Sequence, residues 1–260
     1  MNHGVHRLIL LVAGAGLTLG LATAADAGDT DKFCSGEARN IVLYLDVTTP
    51  YDRIDRDSLV DGVEKIYANL QDGDRFVIRT IEDEFPRSRR LIEACLPHCA
   101  RQGFLKDLFS DCTEGVVIEE KRKLQRRLVE EIRRLADQSV ELDHSEIIRT
   151  IAMSATEDYR PDQANTLFIF SDMIENSAYL PSRQFLGTGN NAILSNLARD
   201  RLVPDLRDTT VRIFGVGRKG DEPRDALEQA KIEKIADFWD AFFSLAGATM
   251  RLQPNLGFID

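Results

Sequence analysis

Asn40-Ile41-Val42-Leu43-Tyr44-Leu45-Asp46 and Asn165-Thr166-Leu167-Phe168-Ile169-Phe170-Ser171-Asp172 are the two stretches that decide the fold. Each is a short, nearly unbroken apolar run rich in branched and aromatic residues, the pattern of a strand buried on both faces rather than one with a wet side. Each then stops abruptly at an acid. Strands of this kind belong to a parallel sheet covered by helices on both sides, and in such sheets the binding groups collect at the carboxyl ends of the strands. Asp46 and Asp172 are therefore expected at one edge.

Behind the first run, Leu59, Val63, Ile66, Tyr67 and Leu70 recur at helical spacing, with Asp57-Ser58 expected to cap the helix and Gly73 just past its end. Arg75 to Ile81 reads as the next strand, and a strand-helix-strand unit implies a parallel pair. Residues 83–117 hold three of the cysteines and are punctuated by Pro86, Pro97, Gly103 and Gly115, so they read as a cysteine-containing excursion with room for an edge strand. From Ile118 to Ala136 the residues Leu124, Leu128, Ile132 and Leu135 form an apolar stripe, with Glu130 and Arg134 expected to pair on the wet side. The bases Lys121-Arg122-Lys123 and Arg126-Arg127 are interleaved with acids and read as a solvated face, a docking patch being the other reading.

Asp143-x-x-Glu146 has capping-box spacing ahead of Ile147, Ile148, Ile151 and Ala152. After the second apolar run come a helix over Ile193–Leu202, a strand over Thr210–Gly217, a helix through Ile232, Ile235, Phe238, Trp239, Phe242 and Phe243, and a last strand to Leu252. The alternation predicts an α/β fold, with a mostly parallel central sheet and helices on both faces, as one domain over residues 40–256.

The 260 residues carry a formal net charge of −10 and an ordinary globular composition. That balance argues against nucleic acid and anionic lipid as partners. His3, His6 and Arg7 precede an apolar run from Leu8 to Ala22, followed by Ala22-Thr23-Ala24 and Ala25-Asp26-Ala27, both of which fit a signal-peptidase site. Residues 1–27 are expected to be a signal peptide and 28–39 a leader, giving a periplasmic or secreted protein with no membrane span after cleavage. An uncleaved anchor is the rival reading. In an oxidising compartment Cys34, Cys95, Cys99 and Cys112 are expected as disulfides. Of three pairings, Cys34–Cys95 with Cys99–Cys112 is preferred, the second closing a short loop; a zinc site lacks the usual Cys-x-x-Cys elements.

A carboxylate at the end of a buried strand needs hydrogen bonds or a cation to remain charged. A hard divalent ion, Mg2+ or Mn2+, satisfies that need through oxygen ligands. Asp46-Val47-Thr48-Thr49-Pro50 resembles the Asp-x-Ser-x-Ser metal-adhesion motif of the von Willebrand factor A (vWA) domain, and Phe170-Ser171-Asp172 is similar to its second strand-end acid. The order of elements over residues 40–255 fits that family too. The resemblance implies a protein-binding module rather than an enzyme, with a metal held by Asp46, Thr48, Ser145 and Asp172 and completed by an acidic side chain of a protein partner. Pro50 departs from the motif, because it stands where a second hydroxyl is expected and has no side-chain oxygen.

Two alternatives stand beside this. Asp46-Val47-Thr48-Thr49 also resembles the nucleophile motif of haloacid-dehalogenase-like phosphotransferases, with Ser171 and Gly220-Asp221-x-x-x-Asp225 as imitations of the later motifs. Otherwise the acids and hydroxyls merely cap loops in a structural envelope domain without metal. Gly187-Thr188-Gly189-Asn190-Asn191 reads as a turn feeding the next helix, and with Glu175–Leu180 it is expected to flank Asp172.

Overall fold

The computed structural model describes residues 33–34, 38–99, 112–217 and 227–252. The expected signal peptide, the end of the domain beyond residue 252 and the Gly220–Asp225 motif lie outside the described residues. Six strands, β1 (Asn40–Asp46), β2 (Arg75–Ile81), β3 (Arg90–Cys95), β4 (Asn165–Phe170), β5 (Thr209–Phe214) and β6 (Thr249–Leu252), form one sheet in the order β3-β2-β1-β4-β5-β6. Every pairing is parallel except that of β2 with β3. The order reverses between β1 and β4, and the crevice above such a switch point is where open α/β sheets bind ligands.

The helices are α1 (Arg53–Ala68), α2 (Glu114–Gln138), α3 (Ile147–Asp158), α4 (Ser182–Gly187), α5 (Asn190–Arg199) and α6 (Gln229–Leu245). Strand alternation divides the core between them. Ile41, Leu43, Leu45, Phe76 and Ile78 meet Leu59, Val63, Leu128 and Ile132 of α1 and α2. Val42, Tyr44, Val77, Leu167 and Ile169 turn the other way, towards Ile147 and Ile151 of α3 and Phe238, Trp239 and Phe242 of α6. The expected three-layer, mostly parallel α/β fold is the one observed.

Local capping differs from expectation. Helix α1 begins at Arg53 because Asp52, not Asp57-Ser58, is its cap, accepting from the Asp55 N–H at 2.7 Å; Asp57 instead pairs with Arg53 on the outside. Helix α2 begins at Glu114, with the Thr113 hydroxyl accepting from the Val116 N–H. Arg134 pairs with Glu131 rather than Glu130. Asp143 does not cap α3: Ser145 is bridged to Asn176, which holds residues before the helix extended, and Glu146 takes the cap position without a side-chain bond. The excursion at 83–117 contains β3 as an antiparallel edge strand, and its helical end is the start of α2.

Both preferred disulfides are present, Cys34–Cys95 and Cys99–Cys112. The first joins residues 61 apart in sequence, for which loop-closure entropy suggests a stabilisation of about 4 kcal/mol.

Where the last turn of α3 packs on the sheet, the contacts are polar. Asp158, the last residue of α3 and fully buried, receives Arg79 at 2.6 Å, Arg90 at 3.1 Å and the Tyr44 hydroxyl at 3.1 Å. Its backbone carbonyl accepts from Asn40 and Arg75, placing a cation at the carbonyl end of the helix, where the helix dipole favours it. Removing one member of a buried ion pair strands the other. Asp158→Ala is thus expected to cost about 3–5 kcal/mol in urea unfolding, whereas Glu157→Ala, whose carboxylate is half exposed, is expected to cost less than about 1 kcal/mol.

Candidate functional site

Burial of all seven residues of β1 brings Asp46 into the core at the carboxyl edge, where it is 3% exposed. Hydroxyls supply what solvent no longer does. Oδ1 of Asp46 accepts from the Thr48 backbone N–H at 3.1 Å and the Thr48 hydroxyl at 2.6 Å, a local turn that the Asp-x-Thr spacing makes available. Oδ2 accepts from the Ser171 hydroxyl at 2.6 Å and the Ser145 hydroxyl at 3.4 Å. The Tyr51 hydroxyl donates to the Asp46 backbone carbonyl. Thr48, Ser145 and Asp46, three of the four expected site residues, thus meet through direct contacts.

Asp172, the fourth, lies beyond β4, which ends at Phe170. Its Oδ1 accepts from the Ile174 N–H at 2.9 Å and its carbonyl from the Gly217 N–H at 3.0 Å. Two adjoining concavities open above the edge. One is lined by Asp46, Thr49, Tyr51, Ser171 and Asp172; the other, of about 190 Å³, by Thr48, Thr49, His144, Ser145, Asp172 and Ser182 among others. Asp172 and Thr49 belong to both, so Asp172 lies beside Asp46 in one and beside Thr48 and Ser145 in the other.

The tight approach of β5 to this edge depends on Gly215, at φ +89°, where a Cβ would lie 3.1 Å from the Ser171 carbonyl oxygen. The Ser171 N–H continues the β4–β5 ladder to the Phe214 carbonyl. Ser171 is the residue that the metal-site expectation omitted. Its signal was a small hydroxyl between an apolar run and the terminal acid.

One expected flanking segment, Glu175–Leu180, reaches the cleft through Asn176. Asn176 lines the cleft and exchanges both backbone hydrogen bonds with Ser145. The turn at Gly187–Asn191 feeds α5, whose cap position is Gly189.

The donor set is hard and oxygen-only. Because Thr48 and Ser145 give their protons to Asp46, their oxygen lone pairs remain for a cation, and two carboxylates would balance a divalent charge. That chemistry fits Mg2+ or Mn2+. Pro50 contributes no oxygen, and among the described residues no three His, Cys, Asp or Glu side chains cluster at ligating distance, so hydroxyls and water would complete the coordination.

No protein-family model matches the chain, and no curated protein matches it in sequence. Solved structures match in fold. An aerotolerance-related membrane protein from Bacteroides fragilis is 11% identical, with 84% of this chain and 93% of that one covered at a TM-score of 0.42. Proximal thread matrix protein 1 from the mussel byssus, with a zinc-occupied MIDAS motif, is 11% identical over 86% of this chain and 45% of its own, at 0.39. The SpRpn10 VWA domain is 11% identical over 84% and 89%, at 0.37. The vWA resemblance rests on this chain's own strand order and strand-end acids.

A hydrogen bond to a charged group contributes about 1.5–3 kcal/mol. Ser171→Ala is therefore expected to lower unfolding free energy by about that amount with the circular dichroism spectrum unchanged, and Thr48→Val to cost a similar amount.

Proposed function

We propose that the chain is an exported, vWA-like protein-binding module whose recognition site is the carboxyl edge of the sheet, with Mg2+ or Mn2+ held by Asp46, Thr48, Ser145 and Asp172. The observation that carries the reading is the convergence of the Thr48, Ser145 and Ser171 hydroxyls on Asp46, with Asp172 lining the same cleft. A bound divalent ion would supply Lewis acidity for an acidic side chain of the partner. Asp46 polarises the hydroxyls and Asp172 adds the second negative charge. Thr49, His144 and Ser182 form the rim that a partner would touch. Recognition of this kind breaks no bond.

Export is supported by the two disulfides, which persist in oxidising compartments, together with the charged and apolar pattern of residues 1–27. A periplasmic or secreted location and a single domain over 40–256 complete the proposal. No described helix is long and apolar enough to cross a membrane.

A second reading is favoured by a specific observation: both Asp46 oxygens already have protein donors, so the cluster satisfies the buried strand end with no ion at all. Thermal unfolding of the oxidised protein separates the two. An ion that binds only the folded state at a hundred times its Kd adds about 2.7 kcal/mol, which is a rise of several degrees for a domain of this size. A rise with Mg2+ or Mn2+ that chelator reverses and Asp172→Ala abolishes is the expected result. Identical unfolding with chelator and with either ion would leave the structural reading.

A further inference from the structure

Three residues beyond Asp172, Glu175 is fully buried. Its Oε2 accepts from the Ile148 N–H at 2.9 Å, so a residue of the loop after β4 occupies the amide end of α3, the helix that follows Ser145. Its Oε1 has no hydrogen-bond partner at ordinary geometry, although the Ser177 and Tyr179 hydroxyls lie near enough to act on the carboxyl. The two walls of the cleft are otherwise joined close by through Asn176: it shares the backbone bridge with Ser145, its amide donates to the Asp143 carbonyl, and its Oδ1 accepts from the Ser182 N–H. Met173, between Asp172 and Glu175, sits at φ +62°, a conformation unfavourable for a long side chain. The loop is held in place by its contacts rather than by its own preference.

The charged groups around Glu175 do not neutralise it. Glu146 acts on it from the start of α3 and Tyr179 from its own loop. Arg149 is turned to Glu146 at 3.0 Å and stacked on the Tyr179 ring at 4.8 Å, and no cation among the described residues forms an ion pair with Glu175. Burial pushes its carboxyl up to about 7, against the opposing pull of the Ile148 N–H and the nearby Ser177 and Tyr179 hydroxyls, while Glu146 pushes it further up.

We infer that Glu175 is a proton-operated latch between the two walls of the cleft: neutral, it holds the loop carrying Asp172 against the start of α3; ionised, it draws that loop open towards water. The sign follows from the closed state's preference for the protonated acid. Closure is strongest at acidic pH and weakens as pH rises from the ordinary carboxyl range to about 7, the open-to-closed ratio growing up to tenfold per pH unit over that interval and levelling off above it. The proton released goes to solvent. The latch operates on the loops themselves, so it does not depend on whether the edge takes a cation.

The protein carries its own reporter. Trp239 is the single tryptophan, and its indole N–H donates to the Met173 carbonyl at 2.8 Å, within the moving loop. Fluorescence of the full, oxidised chain in chelator, followed from about pH 5 to about pH 9, is expected to show one transition near neutrality. Glu175→Gln should abolish it with the far-ultraviolet spectrum intact, while His144→Gln should leave it in place. If Glu175→Gln fails to fold, Tyr179→Phe serves, because loss of a hydroxyl that favours the ionised acid must move the midpoint upward. A flat wild-type trace, a transition that survives Glu175→Gln, one lost with His144→Gln, or a midpoint unmoved by Tyr179→Phe would overturn the latch.

Discussion

Burial of β1 on both faces is the constraint from which the rest of the molecule follows. Its backbone is paired with β2 on one side and β4 on the other, and its side chains feed both halves of the core. A strand so placed cannot end in a carboxylate unless the neighbouring elements bring donors to it. Thr48 comes from its own turn, Ser171 from the end of β4 and Ser145 from the loop before α3. The position of three separate loops is thereby tied to one side chain. The candidate site is the place where the cost of burying that charge is met, which is why its geometry is ordered without requiring a bound ion.

The end of α3 solves the same problem with different chemistry. There Arg75, Arg79 and Arg90 converge on the C-terminal turn of α3, and Asp158 and Glu93 return the charge. Guanidinium groups fill their surroundings with donors. Hydroxyls at the carboxyl edge are short, keep spare lone pairs, and leave a cleft. Helix α3 spans the two clusters: its amide end meets Glu175 beside the cleft and its carbonyl end meets the arginines.

Much of this was legible in the residues. The apolar runs ending in Asp46 and Asp172 located both strands and the binding edge, because strand burial and the position of terminal acids depend only on local order. Helix starts were less legible. Asp52 caps α1 in place of Asp57, and Glu175 occupies the role expected of Asp143, since capping depends on which carboxylate the tertiary structure brings to a free amide rather than on spacing alone. Ser171 was passed over for the same reason: nothing in one strand's sequence says that its terminal hydroxyl will reach an acid 125 positions away. Glu175 itself reads as an ordinary loop acid until the fold buries it.

The Cys34–Cys95 bond has a mechanical meaning. It welds the segment ahead of β1 to the last residue of the edge strand β3. Tension applied to the chain before Cys34 passes through sulfur to Cys95 and continues from there, so residues 35–94 hang outside the loaded path. Strand β1, α1 and the Asp46 turn belong to that slack portion. A tether pulled from the amino terminus would load the chain from Cys95 onward and leave the strand at the centre of the candidate edge without direct strain.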